Sequence, residues 1–294
     1  MDRRTFIKHS LIGGSIIMTE GTLQAFASES KTWKNGEAIM PVLFIGHGAP
    51  LYTLEENKYS LAWRKLATSI PKPKAIVCIS AHWLTRGSFV TAMENPRTIH
   101  DFGRMDDRLF EIEYAAPGDP KLAKEIAKSL TDLHVEEDHQ WGFDHGCWCV
   151  TRWMYPDANI PILQFSIDYH KEADYQYEVG KQLAFLREKG VLILCSGNIV
   201  HNLRQLRFPE STTYDWAIEF DELSKNLIAK GDHKSLINYQ KLGKAAQLSI
   251  PTPDHYYPLL YALGLQRDRD TVSFPTDGIA YGSTSMRSVL LHQS

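Results

Sequence analysis

The segment Ala75-Ile-Val-Cys-Ile-Ser-Ala-His-Trp83 is an apolar run that ends in a histidine. Two other segments repeat the arrangement. Pro41-Val-Leu-Phe-Ile-Gly-His-Gly-Ala-Pro50 sets His47 directly behind such a run, and Val191-Leu-Ile-Leu-Cys-Ser-Gly-Asn-Ile-Val-His201 sets His201 a few residues beyond one. Short continuous apolar runs bounded by Gly and Pro read as strands buried on both faces, the kind found in parallel sheets. Helical stretches lie between them. Asp119-Pro120 opens one, with Asp as N-cap and Pro in the first turn, and Leu122, Ile126 and Leu130 follow at helical spacing. Residues 175–189 carry a helical period that stops at Gly190, and residues 214–230 one that stops at Gly231. Residues 160–167 form another apolar run, and Thr252-Pro253 is expected to open a last helix that closes at Gly264. Strands alternating with helices predict an α/β fold, a single domain with a mostly parallel central sheet flanked by helices. Ligands of such sheets bind beyond the carboxyl ends of the strands. A metal site is therefore expected at that edge, where His47, His82 and His201 would gather.

The 294-residue chain is 43% hydrophobic and 23% charged, ordinary for a globular protein and long enough for one sizeable core. Its formal net charge of −3 comes without a basic stripe, so no nucleic-acid partner is expected. The start is distinct. Arg3-Arg4-Thr-Phe6-Ile7-Lys8 precedes the apolar Leu11-Ile-Gly-Gly-Ser-Ile-Ile-Met18 and a small-x-small site at Ala25-Phe26-Ala27. This three-part order reads as a signal peptide over residues 1–27, of the twin-arginine type, followed by a linker over 28–39. It predicts the twin-arginine export machinery as a partner and a periplasmic, bacterial location. The apolar run is too short and too Gly-interrupted to span a membrane stably, so no membrane association is expected after cleavage. Of the four cysteines, Cys78 and Cys195 fall within predicted strands as small buried residues, and Cys147-x-Cys149 lacks the second pair of a zinc finger.

Twelve histidines are present. His134, His139, His170 and His233 sit in polar stretches and read as surface residues. His47, flanked by Gly46 and Gly48, lies where a chain can turn tightly and approach a ligand. His255, in Thr252-Pro-Asp-His-Tyr-Tyr-Pro258, is expected on the first turn of its helix, facing the sheet edge. His145 sits among glycines and aromatics in Trp141-Gly-Phe-Asp-His-Gly146, and His100 is a weaker candidate. Imidazole is the commonest transition-metal ligand and suits zinc and iron. HExxH, G-x-S-x-G, P-loop and G-x-G-x-x-G motifs are all missing from the sequence.

The ordered set "FIGHGAP", "ISAHWLTRG", "TAMENPRTIHDFG", "YAAPGDP", "WGFDHGCW", "SGNIVHNLR" and "PTPDHYYPLLYALG" resembles the DODA-type extradiol aromatic ring-opening dioxygenases, of the class III extradiol superfamily. The resemblance runs from about Met40 to the C-terminus, so residues 40–294 are expected to form the catalytic domain. It implies metal histidines at His47, His82 and His255. His201 matches a position that serves either as a further ligand or as the acid/base, and His145 a pocket position that shares the catalytic work. His100, Trp141 and His145 are expected to bind substrate, the pair His100-Asp101 and the stretch Trp141-Gly-Phe143 shaping the pocket. The implied partners are a small-molecule catechol, such as L-DOPA cleaved at its 4,5 bond, and O2. The implied cofactor is one ion of zinc or Fe(II) per chain. Non-haem Fe(II) oxygenases generally pair two histidines with a carboxylate, whereas an all-histidine set suits zinc at least as well. A zinc hydrolase using Asp144 or Asp254 as general base, and a non-catalytic periplasmic metal-binding protein, are the competing readings of the same histidines.

Overall fold

Alternate residues of three buried strands face opposite sides of one sheet, and each side is roofed by helices. The computed structural model describes residues 39–208 and 212–293. The export-signal reading of residues 1–27, and all of the linker but its last residue, lie outside them. The strands of the central sheet are β1 (Val42–Gly46), β2 (Ala75–Ser80), β3 (Ile162–Gln164), β4 (Val191–Gly197), β5 (Asp270–Ser273) and β6 (Val289–Gln293). Their spatial order is β5-β6-β1-β4-β2-β3. β1, β4, β2 and β3 run parallel, while β6 joins β1, and β5 joins β6, antiparallel. The expected mostly parallel α/β sheet is present.

The α-helices among the described residues are α1 (Lys58–Ser69), α2 (Pro120–Ser129), α3 (His145–Met154), α4 (Ala173–Gln182), α5 (Asp215–Lys230), α6 (His233–Ile237), α7 (Lys244–Ser249) and α8 (Tyr257–Gly264). Val42, Phe44, Val77, Ile79, Ile193 and Cys195 pack on one face with Ile126, Val179, Phe220 and Leu260 from α2, α4, α5 and α8. Leu43, Ile45, Ile76, Cys78, Leu192 and Leu194 pack on the other with Trp63 and Leu66 of α1 and Trp148 of α3. Period-two alternation thus fills two cores from continuous apolar strands. No helix among the described residues is long and apolar enough to cross a membrane.

Local signals act where the sequence placed them, with two shifts. Asp119 caps α2 by accepting from Lys121 and Leu122, and Gly231 closes α5 with φ 69°. Of the stretch 175–189, only the part within Ala173–Gln182 is α-helical, and Leu183–Lys189 winds as a tighter 3-10 helix before Gly190. The tightening coincides with Arg187, which leaves the surface and becomes fully buried. The helix expected from Thr252-Pro253 begins only at Tyr257. Pro258 explains the delay: a helix running from Pro253 would hold a proline in its interior, whereas a start at Tyr257 puts it in the first turn. His255 therefore lies in the turn before α8 and not on the helix.

The register levels the strand ends. Gly46 pairs with Gly197, and Ser80 with Ser196, so β1, β4 and β2 finish together. Between β2 and α3 the chain makes a long excursion, tied down by short parallel pairs such as Arg97–Thr98 with Gly142–Phe143. That excursion carries residues 100–105 across the carboxyl edge of the sheet.

Candidate active site

Each histidine reaches the carboxyl edge by its own route. His47 follows β1 directly, and its N–H donates to the Gly197 carbonyl at the end of β4 (3.2 Å). His82 stands two residues beyond β2, against the start of α3. A side chain at Gly146 would lie 2.4 Å from Ser80 Oγ and 3.1 Å from the His82 ring, so a glycine is needed there. His255 is fixed by its backbone: Asn198 N–H donates to the His255 carbonyl (2.8 Å), and a Cβ on Gly197 would stand 2.3 Å from the same oxygen. The close approach that glycine allows seats the His255 turn on the end of β4.

The His47, His82 and His255 rings converge, with centroids 5.2, 5.4 and 4.9 Å apart for the three pairs. One ligand atom from each of these residues lies within 4.8 Å of the others. Their hydrogen bonds decide which nitrogen is available. Ser196 Oγ donates its single proton to the Gly146 carbonyl (2.6 Å), so toward His47 Nδ1, 3.0 Å away, it can only accept. His47 therefore carries its proton on Nδ1. His82 Nδ1 faces Asp101 Oδ2 at 3.2 Å, and His255 Nδ1 donates to Asp254 Oδ2. All three rings are thus protonated at Nδ1 and present bare Nε2 lone pairs. The Nε2 atoms of His82 and His47 lie 3.2 Å apart. Two lone pairs facing each other at that distance repel unless a cation lies between them. Nδ1 tied to an acceptor and Nε2 turned to the ion is how metal-bound histidines are oriented.

Electrostatics favour the neutral, ligating form. Burial first, and then the neighbouring His255, push His47 well below the usual imidazole range. Burial and the neighbouring His145 do the same to His82. At Asp254, burial opposes ionisation but the bond from His255 prevails and holds the carboxyl well below its usual range. The residues present fit a metal ion: three imidazole Nε2 donors, each ring with an acceptor at its Nδ1.

His201 stands apart from this set. Its ring stacks on that of His255, centroids 3.5 Å apart and planes 11° from parallel, and it groups with Asp254 and His255, not with His47 and His82. Burial, then His255, lowers its pKa well below the usual range. His145, the first residue of α3, lies over His82 with centroids 3.8 Å apart. Asp101 ties these elements together. Its Oδ1 accepts from the His145 backbone N–H (2.9 Å) and lies 3.1 Å from His145 Nδ1, while Oδ2 faces His82.

A cavity of about 430 Å³ opens in front of the histidines, lined on one side by His47, His82, His145, His201 and His255. His100 and Trp141 do not line it. The His100 Nε2 lies 3.1 Å from the Ile112 carbonyl, with its ring against Phe102 and Trp148. Trp141 stacks on Trp83, centroids 5.7 Å apart and planes 6° from parallel. Asp101 and Phe102, the two residues after His100, line the wall. Asp101, expected with His100 to shape the pocket, faces two of the histidines, and Ser196, which was not expected at the site, faces a third. Asp101 had one signal, its place beside His100 in a motif, whereas nothing local marks Ser196. Cys147 and Cys149 are free buried thiols two residues apart on α3, a spacing that turns them to different sides of a helix. His233 is half-buried between Tyr177 and Gln266, not a solvated surface residue.

A model of the catalytic LigB subunit of aromatic ring-opening dioxygenase matches residues 42–291. The chain belongs to this family. It is 48% identical over 255 residues to the 4,5-DOPA dioxygenase extradiol of Escherichia coli K12, covering 85% of this chain and 94% of that protein. A protein of the same description from Mirabilis jalapa is 38% identical over 227 residues, covering 75% of this chain and 85% of its own. The crystal structure of an uncharacterized Escherichia coli K12 protein superposes with a TM-score of 0.75 at 43% identity, covering 85% of this chain and 99% of that one. As a LigB-family member the chain is an extradiol ring-cleavage dioxygenase, a metal-using enzyme for an aromatic substrate and O2.

Proposed function

We propose that the chain opens the ring of a catechol with O2 by 4,5-type extradiol cleavage, L-DOPA being one such substrate. We assign one metal ion, Fe(II) or zinc, to His47, His82 and His255. The observation that carries this reading is the convergence of three Nε2 lone pairs, each fixed by an acceptor on its Nδ1. When bound, Fe(II) supplies the redox link between a catechol and O2 that zinc, with no redox chemistry, lacks.

The chain's own residues then have distinct tasks. His201, beside the ligand set and not within it, takes a hydroxyl proton from the catechol and returns it to the leaving oxygen. Its ring, neutral at working pH, is free to accept. His145, held through Asp101, orients the second hydroxyl. The apolar cavity wall keeps water from the reacting ring. Both atoms of O2 enter the product, a yellow semialdehyde when L-DOPA is the substrate. The hydrolase reading finds no support, because both of its proposed bases are committed. Asp144 is fully buried and accepts from Ser80, Gln164 and Cys147, and Asp254 serves His255.

The test is oxygen uptake by protein loaded anaerobically with Fe(II), against a zinc-loaded control, over a panel of catechols. Iron-dependent uptake with a yellow product is expected, and none with any catechol at full metal occupancy would sink the reading. The Arg3-Arg4 start further supports export by the twin-arginine machinery to the periplasm. Cell fractionation with an Arg3→Lys/Arg4→Lys variant checks this: the wild-type chain should be found outside the cytoplasm and the variant retained inside.

A further inference from the structure

When His201 takes a proton from a catechol hydroxyl, the oxygen left behind gains charge and calls for a hydrogen-bond donor. Three hydroxyls in succession, Ser283-Thr284-Ser285, run beside His201. Period-two alternation sends the outer two to one side of their strand and the middle one to the other. The outer two are spent. Ser283 Oγ donates to the Asn202 carbonyl (2.9 Å), and Ser285 Oγ donates to Asp221 Oδ1 on α5. Thr284 differs. It lines the cavity, and its hydroxyl has no hydrogen-bond partner among the described residues. Although the residue is only 4% exposed, that oxygen is not sealed from open space, as the partnerless Ser224 and Ser249 hydroxyls are.

The backbone fixes where Thr284 stands. It is bridged antiparallel to His201. Asn202 N–H donates to the Ser283 carbonyl (3.1 Å) and Ser285 N–H to the Val200 carbonyl (2.9 Å), one on each side of the pair. His201 and Thr284 are therefore a non-hydrogen-bonded pair, the kind in which facing side chains stand closest. Such side chains share one face, with Cβ atoms about 4.5–5.5 Å apart, and both residues line the cavity. The same strand is held from two further sides. Asn198 Nδ2 donates to the Ser285 carbonyl (2.7 Å), and a Cβ on Gly46, next to His47, would stand 2.9 Å from that same oxygen. An uncommitted hydroxyl is thus set rigidly beside the base, on a strand packed against the turn of a metal histidine.

We infer that Thr284 is a further catalytic residue, its O–H donating to the catechol oxygen that His201 deprotonates. The proton passes from the substrate O–H to a His201 ring nitrogen, and the electron pair of the broken bond stays on the oxygen. Thr284 keeps its own proton and steadies the charge with one hydrogen bond. That bond is stronger to a charged oxygen than to a neutral hydroxyl, so it favours the reacting state over the bound ground state. The role in turnover rests on the extradiol reading, whereas the contact itself is read independently. Thr284→Val, of the same shape without the hydroxyl, and Thr284→Ser, which keeps it, would be compared with wild type. In Fe(II)-loaded protein, kcat for the catechol turned over fastest should fall about tenfold or more in Thr284→Val and stay within about threefold of wild type in Thr284→Ser. In zinc-loaded protein, bound 4-nitrocatechol should give up its second phenolic proton about tenfold less readily in Thr284→Val, read as a rise of about one unit in the pH midpoint of its visible spectrum. Metal content and melting curve should match wild type in both variants, because the hydroxyl bonds to nothing among the described residues. An unmoved midpoint in Thr284→Val, or an unchanged kcat in protein that cleaves catechols, would overturn the catalytic role, and so would a loss that Thr284→Ser shares in full. A moved midpoint in protein that cleaves no catechol would overturn the extradiol reading and leave the Thr284 contact standing. Failure of wild type to bind the probe would overturn both together.

Discussion

Two regions of this molecule bury strongly polar side chains, and they differ in how completely those groups are satisfied. At the amino end of β4, Arg187 is fully buried. Its guanidinium donates to Met40 O (2.7 Å), Leu265 O (2.8 Å) and both oxygens of Asp270 (2.6 and 2.9 Å). Charge and donors are spent within the protein, and Asp270 also accepts from the Arg267 backbone. At the carboxyl ends of the same strands, the histidine cluster is satisfied on one side only. The Nδ1 atoms of His47, His82 and His255 each face an acceptor, while the Nε2 atoms of His47 and His82 stand 3.2 Å apart with no proton between them. The Arg187 network stiffens the fold. The histidine cluster stores an unmet need for a cation, and that need is its function.

The contrast can be broken from either side. The largest effect should come from His47→Ala. It removes one donor of the set, and the ion should be held far more weakly, by two imidazoles instead of three. Turnover should drop by more than the ~10–100-fold that loss of an outer-shell partner costs. The metal-free variant should unfold no more easily than metal-free wild type, because a repulsive contact has gone. Elemental analysis, oxygen uptake and a melting curve check all three.

Arg187→Met makes the opposite break. It leaves Asp270 buried without its partner and should cost about 3–5 kcal/mol of stability. Denaturant unfolding reads that loss, and the fraction still folded should keep its metal and its turnover per molecule. A smaller effect is expected from Asp101→Asn, which keeps the shape of the side chain but removes the charge facing His82 and His145. Metal affinity or turnover should fall by ~10–100-fold with little change in melting temperature.

The smallest effect comes from pH, between about 7.5 and 6. His47, His82 and His201 have folded-state pKa values pushed below the ordinary 6.5, with burial the first cause in each case. Below that value the unfolded chain binds protons that the folded chain refuses. The stability of the metal-free protein is therefore fully present above pH 6.5 and is lost as pH falls through it. Unfolding curves at a series of pH values in the presence of chelator should show this decline. The Arg187 guanidinium itself does not titrate in this range, whereas the nearby His292, its pKa lowered by burial, adds to the decline.

The strand-end histidines were legible in the sequence because a short apolar run fixes both the strand and the edge at which its last residue emerges. Three such runs in parallel bring three histidines together whatever the loops do between them. His255 was legible as a candidate but not in its setting, since Pro258 decides where α8 can begin. What stayed hidden depends on the long excursion after β2. Its path is set by short edge pairings and by contacts such as the Trp148 Nε1–H donating to the Ile99 carbonyl (2.9 Å). That path turns Asp101 and Phe102 into the cavity and His100 behind them, a difference of one residue that periodicity cannot resolve. Ser196 was illegible for another reason. A serine at the end of a buried strand looks like any other, and its role appears only when its proton is traced to Gly146, which leaves it an acceptor for His47.

The Nε2 atoms of His47, His82 and His255 are proposed to hold one ion together. X-ray absorption on protein reconstituted with one equivalent of zinc tests it most directly, with the His47→Ala and His201→Ala variants measured beside it. One ion per chain is expected, with three imidazole nitrogens at about 2.0–2.1 Å, reduced to two in His47→Ala and unchanged in His201→Ala. An imidazole count that is unaffected by His47→Ala, or that falls by one in His201→Ala, would contradict it.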